Sequence, residues 1–400
     1  MPLCGAGFGL STGNLEEDLR QVLTKSRFRV VCFIFLLCLR ATTFAQQAAE
    51  PQDPVLTHRP AAKTAAPMSA ITPEGKVHLD VVVTDANGKT VSGLEPQNFK
   101  LLDDGQARKI LSMRSFDGVT VKPNPAVEVI LIFDTANLPF PQFSFTRQEI
   151  EKFLRQNGGR LAQPVLIMVL SDAGLRVQPR SSTDGYALLA VLDVVKGSVH
   201  TISAAQGAEG DLERFQLSVR QMTAIAENEA TRPGRKLLIW VGPGWPMLDS
   251  SNFGASDKDQ RRYFEGIVEL SSKLREARMA VYSVSPGSST ADSGKRTILY
   301  QDFLKAVKSA RHADSGNLAL KVLATQSGGL ILGPDNDLAG QIDRCVAEAN
   351  GFYTLSFDPP HAAQADEYHE LKVQVDQPGL AARTNTGYYN QPQAVADGLK

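Results

Sequence analysis

Cysteine is scarce in this 400-residue chain, and its four copies are unevenly placed. Cys4, Cys32 and Cys38 fall within the first 45 residues, which leaves Cys345 alone in the rest of the chain. A protein with one thiol forms no internal disulfide, so its stability must come from an apolar core. Net charge is missing as well: 42 Lys and Arg stand against 43 Asp and Glu. No global field therefore favours nucleic acid, an anionic membrane or a cationic substrate. The apolar run Val30–Leu39 is too short to cross roughly 30 Å of hydrocarbon, which argues against a permanent membrane span. The hydrophobic content of 42% over this length suffices for two ordinary domains with real cores.

What stands at the N-terminus is a targeting pattern. Lys25, Arg27 and Arg29 precede the apolar run, and Thr43-Phe44-Ala45 closes it with small residues of the A-x-A type. Residues 1–45 are therefore expected to be a signal peptide, and the protein to be exported to the periplasm or secreted. Phe35-Leu36-Leu37 before Cys38 lacks the small residue that a lipid-modified cysteine follows, so a lipoprotein is not expected. Residues 46–73, rich in Ala, Pro and Gln, read as a flexible leader.

Periodicity then changes twice along the chain. Val77, Leu79, Val81 and Val83 alternate with other residues before the turn Asp85-Ala86-Asn87-Gly88, and Phe99–Leu102 and Ile110–Phe116 are further short strands. Residues 74–118 make a small β unit. From Val127, wholly apolar strands such as Val129–Phe133, Val165–Leu170, Lys236–Val241 and Met279–Val284 alternate with amphipathic helical stretches. Thr146-Arg147-Gln148-Glu149 has the form of a capping box and predicts a helix start there. Residues 125–349 read as an α/β domain with a doubly wound, mainly parallel sheet. Residues 350–390 revert to strands: Phe352–Phe357, Glu370–Val375 and Ala381–Tyr389. Neither β piece is large enough to stand alone, so the two are expected to combine as one β-sandwich, with the α/β domain inserted between them.

In such sheets ligands bind beyond the carboxyl ends of the strands. The first α/β strand ends in Asp134-Thr135-Ala136-Asn137-Leu138, with no glycine before the next helix. A dinucleotide or P-loop site needs a glycine-rich turn at this point, so nucleotide binding of that kind is excluded. Hydrolase chemistry fares no better. The mature region has no Gly-x-Ser-x-Gly elbow, His369-Glu370 lacks a second histidine at zincin spacing, and His312 sits in a polar stretch. His369 and His312 read as surface or strand residues, and Cys345, in a helical pattern, as a small core residue. The chain is therefore expected not to be an enzyme.

Aspartate at the tip of the first strand, within this α/β pattern, resembles the von Willebrand factor A fold. The mature region as a whole is similar to the VWFA-related family found mainly in acidobacterial exported proteins. The residues that carry the likeness are Val81-Val82-Val83-Thr84-Asp85, Asp103-Asp104-Gly105, Ile132-Phe133-Asp134, Gly234-Arg235-Lys236, Leu237–Trp240, Val281–Val284, Gly328-Gly329, Tyr353-Thr354-Leu355 and Gly387-Tyr388-Tyr389. The resemblance implies a Mg²⁺-type ion held by an Asp-x-Ser-x-Ser motif, a threonine from a later loop and a second aspartate. Asp134 stands at the first ligand position, but Ala136 and Leu138 replace both serines, and Gly242-Pro243-Gly244-Trp245 carries no aspartate. Thr183 is the candidate threonine, and Asp134 with Thr183 would be the metal ligands if Mg²⁺ or Mn²⁺ binds at all. One carboxylate and one hydroxyl are a poor set for an ion that takes six oxygens. The expectation is a metal-independent module that contacts a protein or extracellular-matrix partner through Asp134, Asn137, Thr183, Gly242 and Trp245; a cation-dependent adhesion domain is the alternative. Asp172 is expected to be only a turn residue.

Overall fold

The alternating segment near residue 80 becomes strand β1 (Val77–Thr84), with Val77, Leu79, Val81 and Val83 buried. The computed structural model describes residues 75–193, 195, 207–248, 256–286 and 299–392. The expected signal peptide and leader lie outside the described residues. Three short strands follow β1: β2 (Phe99–Asp103), β3 (Gln106–Arg108) and β4 (Ser112–Phe116).

The chain then alternates between strands and helices. Strand β5 (Glu128–Asp134) leads to helix α1 (Phe140–Leu154), and β6 (Arg160–Ser171) to the short strands β7 (Gly174–Val177) and β8 (Ser182–Asp184). Helices α2 (Gly185–Asp193) and α3 (Gly207–Ala230) precede β9 (Lys236–Val241), and α4 (Asp257–Glu276) precedes β10 (Met279–Pro286). Helix α5 (Leu320–Gln326), β11 (Ile331–Asp335) and α6 (Leu338–Ala347) complete the alternation. The resulting sheet has the order β11-β10-β9-β5-β6-β7, with β8 also on β6. Strands β5, β6, β9, β10 and β11 run parallel, whereas β7 and β8 run antiparallel to β6.

This order explains why β5 is apolar from Val129 through Phe133. Val129, Leu131 and Phe133 enter a core with residues of α1, α2 and α6, such as Phe153, Leu188 and Ile342. Ile130 and Ile132 enter a second core with residues of α3, α4 and α5, such as Met222, Leu270 and Leu323. A strand covered on both faces has no solvent side for a polar residue to occupy. Cys345 sits fully buried in the first core, and burial pushes its thiol pKa upward, as expected of a packed rather than a reactive cysteine.

Helix α1 starts earlier than the Thr146 capping box predicts. Its N-cap is Pro139 and its first turn contains Pro141, whose fixed φ suits a position that needs no amide donor. Thr146 is inside the helix, buried, and its Oγ1 donates to the Gln142 carbonyl at 2.8 Å. A Ser or Thr hydroxyl satisfied by the preceding turn is compatible with a helix interior, so the local pattern was misleading.

Beyond α6 lie β12 (Phe352–Phe357), β13 (Glu367–Val375), β14 (Ala381–Arg383) and β15 (Gly387–Asn390). They pair with the N-terminal strands in two antiparallel sheets, β14-β1-β12-β4 and β15-β13-β2-β3. The expected single strand Ala381–Tyr389 is in fact two, one in each sheet. The break at Thr384–Thr386 is held from outside, since Thr384 Oγ1 donates to the Asp80 carbonyl and the Thr386 amide to the Gln326 carbonyl. Leu79, Val81, Leu101, Leu355, Val373 and Tyr388 belong to one core shared by both sheets.

Two ion pairs tie these sheets to the α/β part. Arg278, after α4 at φ 52, donates Nε to Asp80 Oδ2 at 3.1 Å and Nη2 to Asp80 Oδ1. Burial alone would raise the Asp80 carboxyl pKa, but the Arg278 charge and hydrogen bonds bring it below the ordinary value. Glu348, after α6, accepts the Tyr282 hydroxyl at 2.6 Å and Arg383 Nη2 on both oxygens at 2.5 Å. Among the described residues, no helix is long and apolar enough to cross a membrane.

Candidate functional site at the carboxyl edge of the parallel strands

Strand β5 lies between β6, which follows it, and β9, which comes later, so the strand order reverses at the carboxyl end of β5. Asp134 is the last residue of that strand and is paired with Leu170 of β6. Its side chain is fully buried and already engaged. Trp240 Nε1 of β9 donates to Oδ2 at 2.8 Å. Asn137 donates its backbone amide to Oδ1 at 3.0 Å and Nδ2 to both oxygens, at 3.1 and 3.0 Å. Asn137 Nδ2 also reaches Ser218 Oγ of α3 at 3.0 Å.

Burial dominates the electrostatics of this carboxyl. Desolvation raises its pKa from 3.8 to about 6, against the lowering effect of the Trp240 and Asn137 hydrogen bonds. Gly242 lets the β9 backbone pass close by, since a Cβ on it would lie 2.7 Å from the Asp134 Cβ. Trp245 is 4% exposed, with its ring edge-on to Trp240 at 5.1 Å and Nε1 donating to the Leu318 carbonyl at 3.1 Å. Trp245 is therefore packed under the loop and presents no exposed contact surface. Asp134, Asn137, Gly242 and Trp245 do come together, but as a closed internal network.

Thr183 does not join them. Its neighbour Ser182 pairs with Val165, which pairs with Val129, five residues before Asp134 along β5. At about 3.3 Å per residue the two lie at opposite ends of the sheet, on the order of 17 Å apart. Spacing along the chain does not reveal which end of a sheet a short return strand reaches. The Mg²⁺-type ligand set implied by the family resemblance therefore does not fit: the Asp134 oxygens are filled by nitrogen donors, and Ala136 and Leu138 are buried in the two opposite cores. Asp172 occupies the tight turn between β6 and β7, where Ser171 pairs with Gly174.

An open concavity among the described residues at this end of the molecule is one the sequence reading missed. A groove of about 410 Å³ runs between α3, α4 and the turn at 314–318. Leu212, Phe215, Val219 and Leu248 supply its apolar lining, and Asp259, Glu265, Glu269 and Asp314 outnumber Arg220 and Arg262 around them. Burial, followed by the charges of Asp259 and Asp314, raises the Tyr263 hydroxyl pKa. Gly266 lies on the same face of α4 and leaves room beside Leu318. A glycine inside an otherwise regular helical pattern was the available signal, because it costs about 1 kcal/mol relative to alanine unless packing uses the space.

A second cluster also escaped the sequence reading. His369, expected at a surface or on a strand, is on β13 and buried, with Nδ1 3.2 Å from Asp103 Oδ1 and 3.0 Å from Asp104 Oδ2. His312 is exposed, as its polar neighbourhood suggests, with Nδ1 3.2 Å from Ser309 Oγ.

No protein-family model matches this chain, and no curated protein does. Among solved structures, an aerotolerance-related membrane protein from Bacteroides fragilis is similar at 13% identity and TM-score 0.32, over 56% of this chain and 99% of that one. The human COPII-coat protein Sec24c is similar at 9% identity and TM-score 0.29, over 67% of this chain and 44% of that one. The pilus adhesin SpaC from Lactobacillus rhamnosus GG is similar at 11% identity and TM-score 0.33, over 76% of this chain and 43% of that one. The chain thus spans less than half the length of the last two. These are loose likenesses, and no functional reading rests on them.

Proposed function

We propose that this chain is an exported, non-enzymatic protein-interaction module with a doubly wound core of von Willebrand factor A type, acting in the periplasm or outside the cell without a metal ion at Asp134. The single observation that carries the reading is the groove beside a sealed strand tip. A carboxylate that holds a loop by accepting from Trp240 and Asn137 offers nothing to a ligand, whereas the groove between α3 and α4 is concave, part apolar and of a size used for ligands. Four carboxylates against two guanidiniums select a segment of a partner protein that sets an apolar side chain beside a basic one. Cysteine-based covalent catalysis would need an activated thiolate, and the Cys345 thiol is buried with its pKa driven the wrong way.

Panning a displayed peptide library on the purified protein in EDTA tests this. Enriched peptides are expected to pair an apolar residue with Lys or Arg and to lose at least tenfold in affinity on the double variant Glu265→Lys, Glu269→Lys. Binding that requires Mg²⁺ or Mn²⁺ and vanishes in Asp134→Ala would replace this reading with a cation-dependent adhesion domain. Peptides indifferent to the double variant would remove the groove.

A further inference from the structure

In the paired sheets, and not in the parallel sheet that carries Asp134, we propose that Asp103, Asp104 and His369 form a binding site for a first-row divalent cation of the zinc type. The site begins with a turn. Asp103 ends β2 and pairs with Gln106, so Asp104 and Gly105 are the two central residues of the hairpin, with φ of 50° and 78°. Both lie in the left-handed region, where Asp and Gly are the favoured residues. The Asp104 amide donates to the Glu370 carbonyl and its Oδ1 accepts the Glu370 amide at 3.0 Å, which fixes the carboxylate beside β13. His369, next along β13, is 5% exposed, and its ring stacks on Tyr388 at 5.0 Å and 18°.

Three donor atoms thereby come together. His369 Nδ1, Asp103 Oδ1 and Asp104 Oδ2 meet at N–O distances of 3.2 and 3.0 Å, and the residues' ligand atoms all lie within 4.8 Å of one another. Ligands about 2.0–2.1 Å from a tetrahedral ion stand roughly 3.3 Å apart, so small side-chain adjustments seat the ion. A hydrogen on Nδ1 points along one line and serves one carboxylate well, whereas a dication answers both and the nitrogen lone pair together. The ligands are braced from behind: Tyr388 Oη donates to Asp103 Oδ2 at 3.2 Å and Arg108 Nε lies 3.3 Å from the same oxygen. Support of this kind orients metal ligands. His369 Nε2 is buried without a hydrogen-bond partner, so the polar contacts of the ring are all made through Nδ1, on the side of the two carboxylates. The Asp104 side chain is 42% exposed, which opens the remaining coordination positions to water. One imidazole with two carboxylates suits Zn²⁺ and its neighbours better than Mg²⁺ or Ca²⁺, which take oxygen ligands in larger number.

The test is calorimetric titration of the chelator-stripped protein with ZnCl₂, with MgCl₂ as the comparison, alongside visible spectra after Co²⁺ addition. One equivalent of Zn²⁺ is expected to bind, Mg²⁺ to give no heat, and Co²⁺ to show the intense bands of a low-symmetry tetrahedral site. Asp104→Asn retains the turn and the bond to the Glu370 amide, and His369→Gln removes the nitrogen; each is expected to weaken Zn²⁺ at least tenfold. No zinc binding in the wild type would leave an imidazole–carboxylate hydrogen bond only. Zinc binding unchanged in Asp104→Asn, checked to be folded by circular dichroism, would place the ion elsewhere. Either result overturns the proposal, and neither touches the groove.

Discussion

Replacing Asp134 by asparagine is expected to change how stability depends on pH, and the structure sets the size of the change. The buried carboxyl titrates near 6 in the folded protein against 3.8 in the unfolded chain, a difference of about 2 units. At 1.36 kcal/mol per unit this is about 3 kcal/mol. The sign follows from proton binding: between pH 4 and 6 the folded state holds a proton that the unfolded state has lost, so stability falls as pH rises through that window and the penalty is complete above it. Other carboxylates, such as Asp80 with its lowered pKa, push the opposite way, so the quantity to read is the difference between wild type and Asp134→Asn. Urea unfolding followed by tryptophan fluorescence suits the purpose, because of the chain's two tryptophans Trp240 donates to this carboxyl and Trp245 packs edge-on against Trp240. The unfolding free energy of the wild type minus that of the variant is expected to drop by about 2 kcal/mol of that total from pH 4 to pH 6.5 and then level off. A difference that is flat, or that rises with pH, would refute the claim that burial outweighs the Trp240 and Asn137 hydrogen bonds.

Two further outcomes follow from the packing. Thr183→Ala should leave stability within about 0.5 kcal/mol and leave peptide binding unchanged, since the residue is exposed and at the far end of the sheet from Asp134; a loss of binding in a direct titration would contradict that placement. Gly329→Ala should cost 3 kcal/mol or more, beyond ordinary overpacking, because its Cβ would stand 1.8 Å from the Val281 carbonyl oxygen of β10; a denaturation midpoint near that of wild type would show that β10 and β11 can separate without penalty.

Much of the architecture is legible in local pattern. The period of two at Val77–Val83 and the apolar runs at Val129–Phe133 and Lys236–Val241 follow from which faces are buried, and burial is what local periodicity records. The same patterns misplaced the start of α1 at Thr146 and fused β14 with β15, because a threonine satisfied within a helix and a strand that changes sheet look locally like a cap and a continuous strand. At the site, chain position alone suggests that Asp134, Asn137, Gly242 and Trp245 share one strand edge, but not that they form a buried network, since burial of a side chain depends on what crosses above it.

By itself, then, the sequence determined the element types, the apolar faces and the loss of the two serines after Asp134, all properties of neighbours in the chain. Only the tertiary structure decided that Trp240, 106 residues away, closes over that carboxylate, that Thr183 faces the other end of the sheet, and that His369 meets Asp103 across 266 residues. Contacts of that range are set by strand order and register, which arise from competition among whole-chain packings and leave no periodic mark on any single segment.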